Sequence, residues 1–337
     1  MDVAKLNEVA KKLVAPGKGI LAADESVATA TKKLEKAGVP STEESRRDYR
    51  QMLLTTPGLG EYISGVILFD ETIRQKTAGG RSFVDVLTAA GILPGIKVDQ
   101  GTKEMEGSPE EKVTKGLEGL PERLAEYAKM GAKFAKWRAV ITIGEFAGRR
   151  IPTDANIRKN AKDLAAYAKM AQEAGLVPIV EPEVLMDGAN TMAVCAEVST
   201  RVLTALFKEL KNAGVAIEGI VLKTNMAVPG KLSGEKATPA QVAEATLAVF
   251  NAVLPKELLG QAFLSGGQND VEATANLDAM NSKPQPWKLT FSYGRALQDA
   301  PLKAWVGKPE NIPAAQSALL KRAKMNSLAT LGKYQRE

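Results

Sequence analysis

The sequence predicts an α/β protein that folds as a single (β/α)8 TIM barrel, a parallel eight-stranded barrel with outer helices. Short apolar or β-branched runs alternate with longer segments of helical period. The intervals between the runs have room for a helix and two loops, so neighbouring strands should be parallel. No linker rich in Pro, Gly or Ser interrupts this alternation. We therefore expect one domain over residues 1–337, with an N-terminal helix and a short C-terminal tail.

Eight runs are predicted to form the barrel strands. They span residues 19–23, 63–69, 91–98, 133–138, 177–181, 219–222, 262–264 and 288–291. An open, doubly wound sheet is the alternative, and it would place a glycine-rich turn directly after the first strand. Here the segment Gly17-Lys18-Gly19 precedes that strand, so the closed barrel is favoured.

Capping residues and glycines mark the predicted helices. Ser41 with Glu44 and Thr238 with Gln241 have the spacing of capping boxes, in which each side chain covers an unpaired backbone donor. Pro239 occupies a first helical position, where its missing N–H costs nothing. Three apolar helical stripes end at a glycine suited to the left-handed C-terminal position: Gly131, Gly175 and Gly214.

Composition narrows the class of protein. With 45% hydrophobic and 25% charged residues, the chain has an ordinary globular composition. No segment approaches the roughly 18 apolar residues of a membrane span, and residues 1–16 lack the apolar core of a signal peptide. We expect a cytoplasmic protein without a membrane partner. The net charge of +6 permits acidic ligands, but scattered cations and only 5% aromatic residues argue against a nucleic-acid partner.

The chain has no histidine, which restricts its chemistry. Ser-His-Asp catalysis, Cys-His catalysis and zinc sites with imidazole ligands are excluded. General acid–base work must come from Glu, Asp, Lys or Tyr. The single cysteine, Cys195, cannot form an intrachain disulfide and is expected to be a core or helix-face residue. We predict that the protein needs neither a metal nor a cofactor.

Charged and glycine-rich positions follow the predicted strands, at the end where a barrel builds its active site. Residues two apart in a strand share a face, and three charged pairs have this spacing: Lys97 with Asp99, Lys136 with Arg138, and Glu181 with Glu183. Trp137 should therefore face the outer helices. The other strand-end positions are Asp24, Glu71, Lys223 and the segments 265–267 and 292–295.

Three strand-end lysines are candidate nucleophiles. A free lysine has a pKa of about 10.4, so only about one in 2,500 is neutral at pH 7, and lowering that pKa by roughly three units takes about 4 kcal/mol. Desolvation and a neighbouring ammonium, such as that of Lys136 beside Lys223, could supply this. Lys223 could instead simply extend its amine out of the barrel to solvent. The residues alone leave Lys97, Lys136 and Lys223 open as the nucleophile.

Two loops after the last strands suit a phosphate group. Ser265-Gly266-Gly267 and Gly294-Arg295 follow the seventh and eighth predicted strands, which is the usual phosphate site of a barrel. Glycine lets backbone N–H groups approach an anion closely, and Arg295 would add a bidentate cation.

Seven segments together resemble class I fructose-bisphosphate aldolases. They are residues 15–26, 95–99, 134–138, 180–183, 221–223, 263–268 and 290–297. The likeness extends from near the N-terminus to Gly332-Lys333-Tyr334. It implies a metal-independent lyase of glycolysis and gluconeogenesis that reversibly cleaves fructose 1,6-bisphosphate into dihydroxyacetone phosphate and glyceraldehyde 3-phosphate. It also implies a homotetramer.

The resemblance assigns roles to individual residues. Lys223 would form the Schiff base, and Glu181 would be the main proton-transfer group. Lys136 would assist carbinolamine formation, while Asp24 and Glu183 orient the ammonium groups. For the C1 phosphate it implies Ser265, Gly266, Gly294 and Arg295. For the C6 phosphate and further substrate contacts it implies Ser26, Lys97, Lys33 and Arg138.

The chain departs from the family pattern at a few positions. Lys33 replaces the usual arginine, and since lysine lacks bidentate geometry we expect weaker affinity for the C6 phosphate. Thr224 replaces the proline that usually follows the Schiff-base lysine. Residues 187–190 replace a histidine-containing turn. Tyr334 should not inherit the role of the tyrosine that ends many relatives. Two alternatives are a Schiff-base aldolase for another phosphorylated ketose and a non-catalytic barrel scaffold.

Overall fold

A closed barrel of eight parallel strands forms the centre of the computed structural model, which describes residues 2–335. Its strands are β1 (Gly19–Ala23), β2 (Ile63–Leu68), β3 (Leu93–Lys97), β6 (Phe134–Ile141), β9 (Val177–Val184), β10 (Val221–Thr224), β11 (Gly260–Phe263) and β12 (Lys288–Tyr293). They pair in chain order, and β12 closes the barrel against β1. The predicted TIM-barrel fold class is confirmed.

Helices surround this barrel. They are α1 (Val3–Leu13), α2 (Val27–Lys36), α3 (Glu43–Leu54), α4 (Asp70–Arg74), α5 (Phe83–Ala89), α6 (Leu120–Lys129), α7 (Asp154–Glu173), α8 (Met192–Asn212), α9 (Pro239–Val253), α10 (Asp270–Asn281), α11 (Arg295–Trp305) and α12 (Ile312–Ala329). Across residues 2–335, none of the helices has the length and apolar character needed to cross a membrane.

The predicted helix signals are mostly confirmed. Thr238 and Gln241 form a capping box, and the three predicted glycines have positive φ angles just past helix ends. The box predicted for Ser41 and Glu44 is wrong, because Thr42 and Ser45 form it instead. The Ser41 hydroxyl is 2.8 Å from that of Thr31 on α2, so it serves a contact between helices.

Strand boundaries differ from the predicted ones in ways that affect the site. Strands β6 and β9 each run three residues further than predicted, because outer helices cover their ends. The sixth strand begins later, since Ile217–Gly219 forms a short 3-10 turn. Lys223 lies within β10, where it pairs with Ala262 of β11, instead of following the strand.

An aromatic ring packs inside the barrel near the amino ends of the strands. Phe134 of β6 is fully buried, and a Cβ added at Gly95 would lie 2.2 Å from this ring. A Cβ added at Gly65 on β2 would lie 3.0 Å from the same ring, so glycine at both positions leaves space for it. Leu6, Ala10 and Leu13 of α1 pack into the same apolar cluster, which closes this end and leaves the opposite end for chemistry.

The side chains on the outer face of the barrel follow the alternation predicted for the strands. Trp137 faces away from the barrel interior, is fully buried and stacks on Tyr167 of α7 at 5.6 Å between ring centroids.

Two antiparallel hairpins were not predicted: β4 (Thr102–Met105) with β5 (Ser108–Thr114), and β7 (Gly144–Phe146) with β8 (Arg149–Ile151). Both are rich in polar residues, so they lack the apolar pattern that identified the barrel strands.

Candidate active site

A cavity of about 800 Å³ opens at the carboxyl ends of the strands. Eight cationic side chains and six carboxylates line it, so it carries a net positive charge that suits an anionic ligand. All three charged pairs predicted from strand parity line this cavity. Every predicted site residue lines it as well: Asp24, Ser26, Lys33, Lys97, Lys136, Arg138, Glu181, Glu183, Lys223, Ser265, Gly266, Gly294 and Arg295.

Lys223, Glu181, Lys136 and Asp24 form a continuous ionic chain across the barrel. Lys223 Nζ lies 3.0 Å from Glu181 Oε1, and Lys136 Nζ lies 3.2 Å from Glu181 Oε2. Lys136 Nζ is also 2.7 Å from Asp24 Oδ2. Residues on β6, β9 and β10 and just after β1 supply these groups, and the side chains of all but Asp24 are at most 5% exposed. One carboxylate thus bridges the two lysines.

The charges of this chain favour one protonation pattern. Burial works to raise the pKa of Asp24, but Lys136 and Lys223 outweigh it and lower that pKa to about 2. The pKa of Glu181 is also lowered, since the same two ammoniums and Arg138 outweigh its desolvation. Burial opposes the charge of Lys136, but Asp24, Glu181 and Asp99 raise its pKa. Near neutral pH, Glu181 is therefore an ionised acceptor and Lys136 a fixed cation.

Asp99 belongs to the site although it was not among the predicted functional residues. Its Oδ1 lies 2.9 Å from Lys97 Nζ, and its Oδ2 lies 3.8 Å from Lys136 Nζ. It also accepts a hydrogen bond from the backbone N–H of Gly101 at 3.2 Å. In the sequence, Asp99 was indicated by its position two residues after Lys97, which places both side chains on one face of a strand. Asp99 therefore holds Lys97 in the cavity wall and joins it to the central chain.

Glu183 has a different partner from the one expected. The resemblance implied that Glu183 orients an ammonium group, whereas its Oε2 accepts a short hydrogen bond from Arg138 Nε. The two residues lie on the paired strands β6 and β9, where Arg138 is opposite Glu181 in register. With Glu183 paired to Arg138, the carboxylates that contact Lys136 are those of Asp24, Glu181 and Asp99.

The loops after β11 and β12 form one corner of the cavity. A Cβ added at Gly266 would lie 3.0 Å from side-chain atoms of Glu183, Leu264 and Met186, so a larger residue there would have to displace them. Gly294 caps α11, which places Arg295 and the free N–H groups of the first helical turn at the cavity. Ser292 also lines it, and its buried hydroxyl has no hydrogen-bond partner in the part of the chain that the structure describes. Sequence reasoning placed Ser292 at a strand end without assigning it a role.

The opposite rim is formed by the start of α2. Ser26 caps this helix, accepting a bond from the backbone N–H of Thr29. Lys33 is held inward, with Nζ 3.0 Å from Glu25 Oε1 and 3.0 Å from Gln298 Oε1. Burial disfavours its charge, but Glu25 raises its pKa, so Lys33 remains a cation. Lys32 and Lys36 of the same helix also line the cavity, and sequence reasoning assigned them no role.

Other residues singled out in the sequence lie elsewhere. Glu71 is on α4, where both its oxygens accept hydrogen bonds from Arg46, and it does not line the cavity. Tyr334 packs against the core and its backbone N–H donates to Asp278. Cys195 is buried, as expected. Within residues 2–335 no group of three or more His, Cys, Asp or Glu side chains could hold a metal ion.

Comparison with known proteins agrees with this geometry. The family model for class I fructose-bisphosphate aldolase matches residues 5–337. The chain belongs to the class I fructose-bisphosphate aldolase family. Members are lyases that form a lysine Schiff base, and the enzyme class predicted from the sequence is confirmed.

Curated aldolases match over nearly their full lengths. A probable class 1 aldolase of Xanthomonas axonopodis is 50% identical over 99% of both chains. The cytoplasmic isozyme of Spinacia oleracea is 52% identical over 97% of this chain and 90% of its own. The chloroplastic aldolase 3 of Arabidopsis thaliana is 50% identical, covering 99% of this chain and 84% of its own.

A solved structure shares the whole fold. The aldolase of Plasmodium falciparum, crystallised with TRAP and a small-molecule inhibitor, superposes with a TM-score of 0.97 at 48% identity. The match covers 99% of this chain and 96% of that one.

Proposed function

We propose that this aldolase cleaves fructose 1,6-bisphosphate reversibly, with Lys223 as the Schiff-base lysine. The observation that carries the assignment is that, within residues 2–335, Lys223 forms an ion pair with Glu181 alone, at 3.0 Å. Lys136 is held by three carboxylates, and Lys97 by both the carboxylate and the backbone carbonyl of Asp99, so each of them is better suited to a permanent charge. Of the three lysines, Lys223 therefore gives up the fewest stabilising contacts when it becomes a neutral amine.

The first stage forms the imine. The amine of Lys223 adds to the C2 carbonyl, and the resulting carbinolamine loses water to give a protonated imine. Glu181 takes the proton that the lysine must lose and then supplies one to the departing hydroxyl. The ammonium of Lys136, held by Asp24, stabilises the negative charge that develops on the C2 oxygen as the bond forms.

The second stage breaks the carbon–carbon bond. Glu181 removes the proton of the C4 hydroxyl, the C3–C4 bond breaks, and its electron pair moves into the protonated imine. The aldehyde product leaves, and an enamine remains on Lys223. Protonation at C3 and hydrolysis of the imine then release dihydroxyacetone phosphate. The imine is the electron sink throughout, so no metal is needed for these steps.

The two rims of the cavity suit the two phosphates. For the C1 phosphate we propose Ser265, Gly266, Gly294 and Arg295, which combine backbone N–H groups, a helix N-terminus and a bidentate cation. For the C6 phosphate we propose Ser26, Lys97 and Lys33, with Arg138 as a further substrate contact. Anchoring both ends of the sugar between these rims would orient it for reaction.

Two alternatives can be separated from this proposal by experiment. An aldolase for another phosphorylated ketose would prefer fructose 1-phosphate or a seven-carbon bisphosphate in kcat/KM. A barrel scaffold without turnover would be inactive towards every sugar phosphate. The complete ionic chain around Lys223 argues against the scaffold, because burying charged groups without a use is costly.

We also propose that the enzyme is a cytosolic homotetramer. Cytosolic and chloroplastic aldolases are both among its relatives. Size-exclusion chromatography with light scattering measures the oligomeric state, and a mass near four times 35.9 kDa is expected.

Borohydride trapping tests the assignment of Lys223. Reduction in the presence of dihydroxyacetone phosphate should leave a stable adduct on the peptide containing Lys223, as read by mass spectrometry. Lys223→Met should abolish both adduct and turnover, whereas Lys231→Met, at an exposed ion pair with Asp187, should keep both. A chelator should leave the rate unchanged. An adduct on Lys97 or Lys136 instead would refute the assignment.

A further inference from the structure

The backbone pairing between β9 and β10 ends before the reactive residues. Only Val221 and Leu222 of β10 pair with β9, opposite Ile179 and Val180. Strand β9 nevertheless continues to Val184 along its other neighbour, β6. Glu181 and Lys223 are therefore the first residues on each strand beyond the last paired positions. Backbone pairing alone does not hold these two side chains at a fixed separation.

Asn225 connects the two strands beyond this point. Its Oδ1 accepts a hydrogen bond from the backbone N–H of Val184 at 3.0 Å, one residue past Glu183. Its Nδ2 donates to Ser199 Oγ at 3.2 Å and to the carbonyl of Met226 at 3.1 Å. Asn225 is only 3% exposed, so its amide is shielded from competing water. The Asn225 side chain thus links β9 to β10 where backbone pairing between the two strands has ended.

Thr224 makes a second connection. Its hydroxyl donates to the carbonyl of Pro182 at 3.3 Å, between Glu181 and Glu183 in the chain. On its other side, Thr224 pairs with Phe263 of β11, and its carbonyl accepts from the backbone N–H of Leu264 at 3.0 Å. Thr224 therefore joins β9 to a part of β10 that β11 already fixes.

We propose that Asn225 and Thr224 are positioning residues that set the separation of Lys223 and Glu181. Neither residue lines the cavity, so they act through the backbone of β9 and β10 and do not touch substrate. The inference rests on the proposed role of Lys223. It adds that this role depends on two side-chain bonds that stand in for backbone pairing.

The size of the effect follows from the chemistry of proton transfer. Glu181 must stay within hydrogen-bond reach of the group whose proton it moves. Small displacements of reacting groups, of about 1 Å, can cost on the order of a hundredfold in rate. Loss of the Asn225 amide releases the end of β9 from β10 and should lengthen the distance between the two side chains.

The test compares Asn225→Ala with Gln172→Ala. Gln172 is a matched control, because it is fully buried and makes three comparable bonds: to the backbone of Ala216 at 2.8 and 3.0 Å and to Gly219 at 3.2 Å. These bonds lie near the closed end of the barrel. The measurements are the melting temperature, kcat, KM and the rate of borohydride-trapped adduct formation on Lys223.

Asn225→Ala should lower kcat and the trapping rate by about ten- to a hundredfold, with KM nearly unchanged. Gln172→Ala should lower the melting temperature to a similar extent but leave the trapping rate at the wild-type value. If both variants lose only melting temperature, Asn225 is merely structural and the proposal is overturned.

Thr224→Val and Thr224→Ser provide an independent test of the proposal, which can still be carried out if Asn225→Ala does not fold. Valine matches threonine in shape but lacks the hydroxyl, whereas serine keeps the hydroxyl. Slower trapping in Thr224→Val with recovery in Thr224→Ser supports the proposal, and equal trapping in both overturns it. Wild-type protein labelled at a different lysine would instead refute the proposed function, so the two failures are distinct.

Discussion

Lys223 and Glu181 face each other from adjacent strands, with Nζ 3.0 Å from Oε1. The second oxygen of the same carboxylate is turned to Lys136 at 3.2 Å. Because Lys136 also contacts Asp24 and Asp99, its charge has other partners, whereas Lys223 depends on Glu181. This asymmetry between two lysines of similar burial supports the proposed roles of Lys136 as a fixed cation and of Lys223 as the reactive amine.

Replacement of Glu181 should stop proton transfer without emptying the cavity. Glu181→Gln keeps the shape of the side chain but removes the acceptor, so kcat should fall by roughly 10²- to 10⁴-fold. Steady-state assays of fructose 1,6-bisphosphate cleavage measure this. Glu173→Gln, at an exposed position on α7, is the control and should be unaffected. A fall of less than about tenfold would mean that another group moves the proton.

Replacement of Lys136 should alter the pH dependence as well as the rate. Lys136 is the largest of the charges that lower the pKa of Glu181, so Lys136→Met should raise that pKa. The acidic limb of the kcat/KM profile should move to higher pH, because Glu181 then takes up a proton more easily. Lys32→Met, at an exposed cavity position, should leave the limb in place. An acidic limb that stays fixed in Lys136→Met would contradict this electrostatic assignment.

Asp24 should stabilise the fold in a pH-dependent manner. Its pKa is lowered from 3.8 to about 2, so its contribution is fully present above about pH 4 and is lost as the pH falls towards 2. Asp24→Asn should therefore lower the free energy of unfolding by ~2 kcal/mol at pH 6. Urea unfolding at one protein concentration measures the difference between the two proteins. A difference that stays constant from pH 6 to pH 3 would count against this ionisation.

The barrel was predictable because its strands carry a distinctive pattern. Each barrel strand is an apolar run between helical segments, and all eight were located, although their ends were not. The start of β10 shows why. It is set by the 3-10 turn Ile217–Gly219, and no hydrophobic periodicity predicts that turn. The hairpin formed by β4 and β5 was missed because most of the side chains on β4 are exposed and polar.

The site was only partly predictable. Parity placed Lys136, Glu181 and Asp99 on the inner face, since that requires only the alternation of a strand. The choice among three lysines could not be made from the residues, because it depends on contacts between strands far apart in the chain. The pairing of Glu183 with Arg138 has the same origin: both face the cavity, and their distance is set by the register of β6 against β9.

The second phosphate rim gives a test that distinguishes substrates. Lys33 already binds Glu25 and Gln298, and the other oxygen of Glu25 accepts a bond from Arg50 at 2.7 Å. As a single point charge held by these partners, Lys33 offers little directed hydrogen bonding to a phosphate. An arginine could keep Glu25 on one edge of its guanidinium and present a second edge to the cavity.

Lys33→Arg should therefore lower the KM for fructose 1,6-bisphosphate by about three- to tenfold, which corresponds to ~0.7–1.4 kcal/mol. The KM for fructose 1-phosphate should not change, because that substrate has no phosphate at this rim. Lys162→Arg, on the exposed side of α7, is the control and should affect neither substrate. Equal changes for the two substrates would place the effect of Lys33 elsewhere in the cavity, since only a contact with the C6 phosphate separates them.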